Sequence, residues 1–222
     1  MKVALTFDAE HPDRPHCPPW AAGQILRVLR RTEVRATFFL QGRWVEAYPH
    51  LARDIAQDGH RIGSHSFYHV PMSLLSDDGL AADVLGAAQV IGSITGVDPR
   101  PWFRCPWGDC AHDPRVLKTL AALGYRHVGW DVELDEWDVA RTPREIEDAA
   151  VVGVLASGDG AIVLLHTWPA SVPAALPGII DRLRAAGADF VTLDDLSRLA
   201  APAGAIMAGG TESAEGKGPG HP

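Results

Sequence analysis

Short apolar segments alternate along this chain with longer segments whose apolar residues share one helical face. The run at 161–165 is uninterrupted and of strand length, whereas Leu176, Ile179, Ile180 and Leu183 recur at helical spacing. The apolar runs predict seven strands, at 2–7, 35–40, 61–64, 102–104, 125–130, 161–165 and 190–193. The amphipathic segments predict helices near 20–31, 44–58, 77–94, 113–123, 143–156 and 176–186.

Strands that alternate with helices predict parallel strands and therefore an α/β fold. Seven strands suit either an open sheet or a closed barrel, and periodicity does not distinguish the two. We expect residues 1–200 to form one domain. Residues 201–222 contain six Gly and three Pro and almost no large apolar side chain, so they are predicted to be a disordered tail.

Charge and cysteine content narrow the classes of protein to consider. The formal net charge of −8 disfavours a nucleic-acid partner. No apolar run approaches the roughly 18 residues of a membrane span, and no targeting signal is apparent, so a cytoplasmic protein without a membrane partner is the default. Three cysteines, Cys17, Cys105 and Cys110, cannot form a disulfide framework, and we expect buried, inert thiols in a reducing compartment.

Two polar groups follow the first and third predicted strands. Asp8 and Glu10 are two residues apart, so in an extended chain they share one side, where two carboxylates can divide the roles of base and metal ligand. His65 and His69 are four apart and meet if the segment turns helically, which is a frequent spacing of zinc ligands. A solvated acidic loop and a chance histidine pair are the structural alternatives.

Three further groups also lie where predicted strands end. Arg104 could orient a carboxylate, and Trp107 could form an apolar wall. The acidic segment 131–136 could fix the tautomer of a histidine, and His166 is a candidate general acid. A Pro-Trp turn, an acidic surface loop and a structural histidine are the alternatives. Together the five groups supply the components of metal-assisted hydrolysis.

The order of these groups resembles the polysaccharide deacetylases, the NodB-homology group of carbohydrate esterase family 4. RATFFLQG at 35–42 and GHRIGSHSFYH at 59–69 resemble the family's ATFF strand and its GHEIGNHT..H metal motif. FRCPWG at 103–108 resembles its FRPPYG segment, GYRHVGWD at 124–131 with Trp137 its fourth motif, and LLH at 164–166 its fifth. The resemblance spans about residues 2–199 and implies a distorted (β/α)7 barrel.

The resemblance also implies roles for the residues that match these motifs. His65 and His69 would bind the metal, Asp8 would be the base, Arg104 its orienting partner and His166 the acid. The acid before Trp137 would support His166, and here that acid is Glu136, with Asp135 close by. Trp107, Trp137 and Trp168 could stack on sugar faces.

This sequence departs from the family pattern at three places. Ala9 stands where the second aspartate of the first motif is a metal ligand, and Glu10 fits a variant that carries the acid one residue later, with Asp13 or His11 as competitors. Glu136 replaces the usual Asp. The Pro-rich loop at 11–20 is longer than in the family and either closes over the substrate or is a passive connection.

The preferred hypothesis is hydrolysis of an N-acetyl group on an amino sugar or small N-acetylated glycoside, with release of acetate. One divalent ion, with Zn²⁺ preferred and Co²⁺ or Ni²⁺ as alternatives, would be held by Glu10, His65 and His69. The alternatives are hydrolysis of another amide, such as a cyclic ureide, and a non-catalytic sugar-binding module. The oligomeric state stays open.

Overall fold

The structure is a computed structural model that describes residues 1–14 and 17–199. The boundary at residue 200 and the tail at 201–222 that the sequence predicts lie outside these residues. Seven strands form one sheet: β1 Lys2–Ala9, β2 Thr37–Leu40, β3 Arg61–Ser64, β4 Trp102–Phe103, β5 Arg126–His127, β6 Ala161–His166 and β7 Asp189–Phe190. Every pairing between these strands is parallel, as the alternation predicts.

Strand β1 pairs with three other strands and fixes the position of the first polar group. The strand order is β5-β4-β3-β2-β1-β6, and β7 pairs with the start of β1. The segment after β5 pairs with β6, because Val132 bridges Val163 and accepts a hydrogen bond from the backbone N–H of Leu164. The chain therefore crosses there from the β5 edge of the sheet to its β6 edge, which completes an irregular ring of strands.

The two faces of β1 are packed differently. Val3, Leu5 and Phe7 belong to the large core that the surrounding helices cover, whereas Ala4 packs with the apolar residues inside the ring. Because side chains alternate along a strand, Asp8 shares the inner face with Ala4. The strand thus delivers a carboxylate to the inside of the ring at its carboxyl end.

Eight α-helices within the described residues surround the sheet. They are α1 Trp20–Thr32, α2 Gly42–Ala47, α3 Pro49–Gln57, α4 Asp77–Thr95, α5 Pro114–Ala122, α6 Pro143–Ser157, α7 Val172–Ala185 and α8 Leu193–Leu199. A capping box begins α6, since the side chains of Thr142 and Glu145 each accept the other residue's backbone N–H. None of the described helices is long and apolar enough to cross a lipid bilayer.

Four parts of the structure differ clearly from the sequence predictions. The single helix predicted at 44–58 is two helices, because Pro49 disfavours helical backbone at Tyr48, whose ψ is 57°. Helix α7 begins at Val172, four residues before the predicted start, and α8 was not predicted. Strand β5 has two residues in place of the six predicted.

Candidate metal centre and catalytic site

The carboxyl ends of four strands bring the candidate residues together. Asp8 and Glu10 come from the end of β1, and His65 follows β3 directly. Arg104 follows β4, and His166 is the last residue of β6. Asp8, Glu10, His65 and Arg104 are buried, although all are polar. Because buried polar groups are costly unless they are paired, their partners define the site.

Asp8 forms a buried ion pair with Arg104. Arg104 Nη1 donates to Asp8 Oδ1 at 2.9 Å. The arginine side chain is fully buried, and its other N–H groups donate to the backbone carbonyls of Val128 and Gly129 at 3.3 and 3.0 Å. The guanidinium also lies over the ring of Phe39, 4.2 Å from its centroid. The orientation of the Asp8 carboxylate is therefore fixed on one side.

Glu10, His65 and His69 form a three-residue cluster suited to a cation. One ligand atom of each residue lies within 4.8 Å of the others. His65 Nε2 is 3.1 Å from Glu10 Oε2, and His69 Nε2 also contacts that oxygen. The Nδ1 atom of His65 is 2.8 Å from the Arg104 carbonyl oxygen; if it carries the proton, Nε2 is left with its lone pair toward the cluster.

The donor set of this cluster fits a divalent transition metal. Two imidazole nitrogens and one carboxylate oxygen are the protein ligands found in hydrolytic zinc sites, where the fourth position stays open for water. Glu10 and both histidines are buried, so the cluster is not an exposed acidic patch. The residues present could therefore hold one divalent cation.

A kinked loop, and not the helical turn that the sequence spacing suggested, brings the two histidines together. Ser66 and His69 have left-handed backbone, with φ of 63° and 58°. The buried Asp83 carboxylate of α4 accepts the backbone N–H groups of Phe67 and Tyr68 at 2.8 and 3.1 Å. The loop is thus shaped by hydrogen bonds from a distant helix, which the four-residue spacing did not reveal.

The two carboxylate oxygens of Glu10 face different groups. Whereas Oε2 faces His65 and His69, Oε1 is 3.1 Å from His11 Nε2 and 3.2 Å from Trp168 Nε1. Burial alone would raise the pKa of Glu10, but the hydrogen bonds of His11, His65 and His69 hold that pKa well below its usual range. Glu10 is therefore a carboxylate at neutral pH.

His166 is oriented by Glu136. Glu136 Oε1 is 2.8 Å from His166 Nδ1 and accepts the backbone N–H of the same residue at 2.7 Å. Burial opposes the charged imidazole, but the charge and hydrogen bond of Glu136, with the charges of Glu10 and Asp8, raise the pKa of His166 to about 10. The neighbouring Asp135 faces away and pairs with Arg141 at 3.1 Å.

Comparison with known proteins identifies the family. Residues 1–128 match the family described as polysaccharide deacetylase. A peptidoglycan-N-acetylglucosamine deacetylase of Bacillus cereus is 34% identical over 199 residues, which cover 88% of this chain and 88% of that protein. The chain belongs to the polysaccharide deacetylase family.

Solved structures of carbohydrate esterase family 4 share the fold. An acetyl xylan esterase from Clostridium thermocellum, in complex with a cobalt ion, matches with a TM-score of 0.78 at 30% identity, over 90% of this chain and 91% of that one. A pseudoenzyme from Bacillus anthracis also gives 0.78, at 26% identity, over 88% of this chain and 64% of that one. The predicted distorted (β/α)7 barrel is confirmed, but the fold is shared with an inactive relative.

A cleft of about 410 Å³ opens above the cluster. Trp107 and Trp137 lie on its walls and are 60% and 50% exposed, whereas Trp168 is half-buried. Trp130, which the sequence analysis did not single out as a binding residue, also lines the cleft. Exposed indole rings beside a polar floor are typical of sites that bind a sugar ring.

The start of the long loop after β1 also reaches the cleft. His11 and Arg14 line it, and His11 is buried beside His69, with ring centroids 4.5 Å apart. Asp13, which the sequence offered as a competing ligand, pairs with Arg43 at 3.1 Å and is not in the three-residue cluster. The start of this loop therefore lies at the cleft, while Pro15 and His16 lie outside the described residues.

The prediction of buried thiols is wrong for two of the three cysteines. Cys105 and Cys110 form a disulfide with Cα atoms 5.9 Å apart, because the tight turn Pro106–Gly108 brings them together. Cys17 is a buried free thiol.

Asp83 shapes the histidine loop but was not predicted from the sequence. This acid lies on the buried face of α4 with Leu80, Val84 and Ala87. An acidic residue on the apolar face of an amphipathic helix is unusual, because burial disfavours its charge and raises its pKa, as it does here. That position in the helical pattern is the signal by which Asp83 could have been found.

Proposed function

We propose that this protein is a metal-dependent hydrolase that removes an N-acetyl group from an amino sugar or small N-acetylated glycoside and releases acetate. The observation that carries the proposal is the arrangement of Asp8 and His166 beside the Glu10–His65–His69 cluster. Asp8 Oδ2 is 3.6 Å from His65 Nε2, and His166 Nε2 is 3.8 Å from Glu10 Oε1. Each of the two has its own buried partner.

The roles of the residues follow from their protonation and their partners. A divalent ion in the cluster, when bound, supplies Lewis acidity that activates water and polarises the acetyl carbonyl. Asp8, oriented by Arg104, accepts the proton of the attacking water. His166 donates a proton to the departing nitrogen, which leaves as an amine while the acetyl carbon keeps the new bond to oxygen.

Glu136 prepares His166 for the acid role. A pKa of about 10 means that the imidazole carries its proton at neutral pH. Since Glu136 faces Nδ1, the transferable proton is on Nε2, which is directed toward the cluster. An amide nitrogen is a poor leaving group without a proton, so a pre-charged acid beside the cation fits amide hydrolysis.

The cleft supports a sugar as the substrate. The exposed rings of Trp107 and Trp137 can stack on pyranose faces, and a volume of about 410 Å³ leaves room for a small glycoside. The Bacillus cereus relative is named for its action on peptidoglycan, so a polymer is the competing substrate. The small glycoside and the polymer differ in length, but the bond to be hydrolysed is the same.

A substrate panel tests the proposal. The protein is stripped with a chelator, reloaded with Zn²⁺, Co²⁺ or Ni²⁺, and assayed for acetate release from N-acetylglucosamine glycosides, chitooligosaccharides and peptidoglycan, and for ring opening of cyclic ureides. We expect metal-dependent acetate release from the small glycosides. Release from polymer alone would refute the small substrate, and ring opening without acetate release would refute deacetylation.

A non-catalytic sugar-binding module is the second candidate, because a pseudoenzyme shares the fold. The paired Asp8–Arg104 and His166–Glu136 argue against it, since a module that only binds has no need of a buried base and a charged acid. Metal analysis separates the two. About one equivalent of metal together with turnover would exclude the binding-only candidate, whereas a metal-free, inert protein that still binds sugar would support it.

A further inference from the structure

We propose that His11 and Trp168 are positioning residues that hold one oxygen of Glu10, so that its other oxygen points at the metal position. We call this pair the Oε1 clamp. The inference rests on the metal site of the proposed function and adds two residues that act through Glu10. Neither residue is assigned here to bind the metal or to transfer a proton.

The need for the clamp follows from the length of Glu10. A glutamate has one more rotatable bond than an aspartate, so its carboxylate can take more orientations. In this cluster the two oxygens are divided, since Oε2 faces both imidazoles and Oε1 faces away from them. A long ligand therefore keeps its orientation only if the distal oxygen has partners of its own.

The clamp supplies two N–H groups for that oxygen. The indole Nε1 of Trp168 is 3.2 Å from Oε1 and can only donate, so the direction of this hydrogen bond is certain. Nε2 of His11 is 3.1 Å from the same oxygen and donates when it carries the proton. Two donors on one carboxylate oxygen leave the other oxygen free for the cation.

Both members of the clamp are fixed by the fold. His11 has left-handed backbone with φ of 57°, and its N–H donates to the buried Gln41 side chain at 2.9 Å. Gln41 in turn donates its backbone N–H to the Ala9 carbonyl at 3.0 Å. Trp168 follows Thr167, whose backbone N–H donates to the Asp8 carbonyl at 3.0 Å. Both residues are thus tied to the end of β1.

The geometry separates His11 from the ligand set. The atoms of Glu10, His65 and His69 that could hold a cation lie within 4.8 Å of one another, and His11 is not part of that group in the described chain. Its nitrogen is in contact with the outer oxygen of Glu10. Outer partners of metal ligands orient them, and their loss typically weakens metal binding by about 10–100-fold.

Zinc affinity, measured by chelator competition, tests the clamp without any substrate. Trp168→Phe keeps an aromatic ring but removes the N–H donor. His11→Leu also removes a donor, whereas the control His11→Gln keeps a side-chain N–H. We expect Trp168→Phe and His11→Leu to bind Zn²⁺ about 10–100-fold more weakly than the parent. We expect His11→Gln to retain most of the affinity. Thermal unfolding of the metal-free variants checks that each still folds.

Repeating the substitutions in a Glu10→Asp background distinguishes residues that position Glu10 from residues that bind the metal. The shorter carboxylate no longer places an oxygen between His11 and Trp168, so there His11→Leu and Trp168→Phe should each change zinc affinity by less than about twofold. If His11→Leu lost as much zinc affinity in that background as in the parent, His11 itself would bind the metal and the inference would be overturned. Parent-like zinc affinities of both single variants in the Glu10 protein would also overturn it. A parent that binds zinc but hydrolyses no acetamide would instead refute the proposed function alone.

Discussion

Strand β3 has a buried histidine at each end, and the two lie in opposite electrostatic surroundings. His60 precedes the strand and is 8% exposed; burial lowers its pKa to about 4. His65 follows the strand, and although burial also opposes its charge, Asp8 and Glu10 raise its pKa. His60 Nδ1 accepts the backbone N–H of Ala36 at 3.2 Å, whereas His65 faces two carboxylates.

The difference between the two histidines lies in what converges on them, not in burial. The amino ends of the parallel strands bring backbone and apolar groups to His60, such as the ring of Phe38 at 5.1 Å. The carboxyl ends bring carboxylates from β1 to His65. In α/β folds functional groups collect at the carboxyl ends of strands, and here one strand shows both environments.

Exchanging each histidine for glutamine tests this difference most strongly. We expect His65→Gln to lose stoichiometric zinc and all metal-dependent turnover, because it removes one of the three proposed metal ligands. The loss should exceed the roughly 10–100-fold expected for an outer partner of a ligand. Metal content after dialysis and zinc competition measure the effect.

His60→Gln is the matched control on the same strand. It also replaces a buried histidine on β3 with glutamine, and we expect this variant to keep one equivalent of metal. If both variants lost zinc to the same degree, the loss would come from damage to β3, and the contrast between its two ends would be wrong.

Substitutions of the proposed proton-transfer residues, Asp8 and His166, should affect turnover and metal content differently from substitutions of the proposed metal ligands. Asp8→Asn keeps the size of the side chain but cannot accept the proton of water, and His166→Gln cannot donate one to nitrogen. Each change should lower kcat by about 10²–10⁴-fold while metal content stays near that of the parent. Turnover within tenfold of the parent, with metal retained, would remove that residue from the proposed mechanism.

Much of the site could be predicted from the sequence, because parallel strands place their carboxyl ends at one edge. Asp8, His65 and His166 each follow an apolar run, and the structure brings them together as expected. The reason given for His65 and His69 was wrong, since the loop between them is kinked and not helical. Its shape depends on Asp83, which is far away in sequence, and local spacing carries no information on such a contact.

The contacts of Glu10 could not be predicted for the same reason, whereas the disulfide could not be predicted because of local backbone conformation. That Glu10 lies with His65 and His69 agrees with the variant motif, but the division of its oxygens depends on Trp168, 158 residues later. The cysteines are only five residues apart, yet their pairing requires left-handed backbone at Trp107, with φ of 60°, which sequence propensity does not favour.

The decrease in the free energy of unfolding at acidic pH tests whether His60 has the lowered pKa that its burial implies. The pKa of His60 is 6.5 in the unfolded chain and about 4 in the folded protein. Between these two pH values the unfolded chain binds a proton that the folded protein does not. The free energy of unfolding is therefore unaffected above pH 6.5 and decreases as the pH falls toward 4. At 1.36 kcal/mol per pKa unit, the metal-free parent should lose about 2–3 kcal/mol more than His60→Gln between pH 7 and 4.5. Urea unfolding at both pH values measures this difference, and equal losses in the two proteins would refute it.

The smallest expected effect concerns the disulfide beside the cleft. Cys105–Cys110 closes the loop that carries Trp107, and a loop of this size stabilises a protein by about 2 kcal/mol through the entropy of the unfolded chain. Urea unfolding should therefore show a loss of about 2 kcal/mol on treatment with dithiothreitol. Cys17→Ser should keep that sensitivity, because Cys17 is a free thiol, whereas a Cys105→Ser/Cys110→Ser double variant should be less stable from the start and indifferent to the reductant. If dithiothreitol left the free energy of unfolding of the parent unchanged as well, Cys105 and Cys110 would be unpaired thiols in solution, and the loop that carries Trp107 would be held by non-covalent contacts alone.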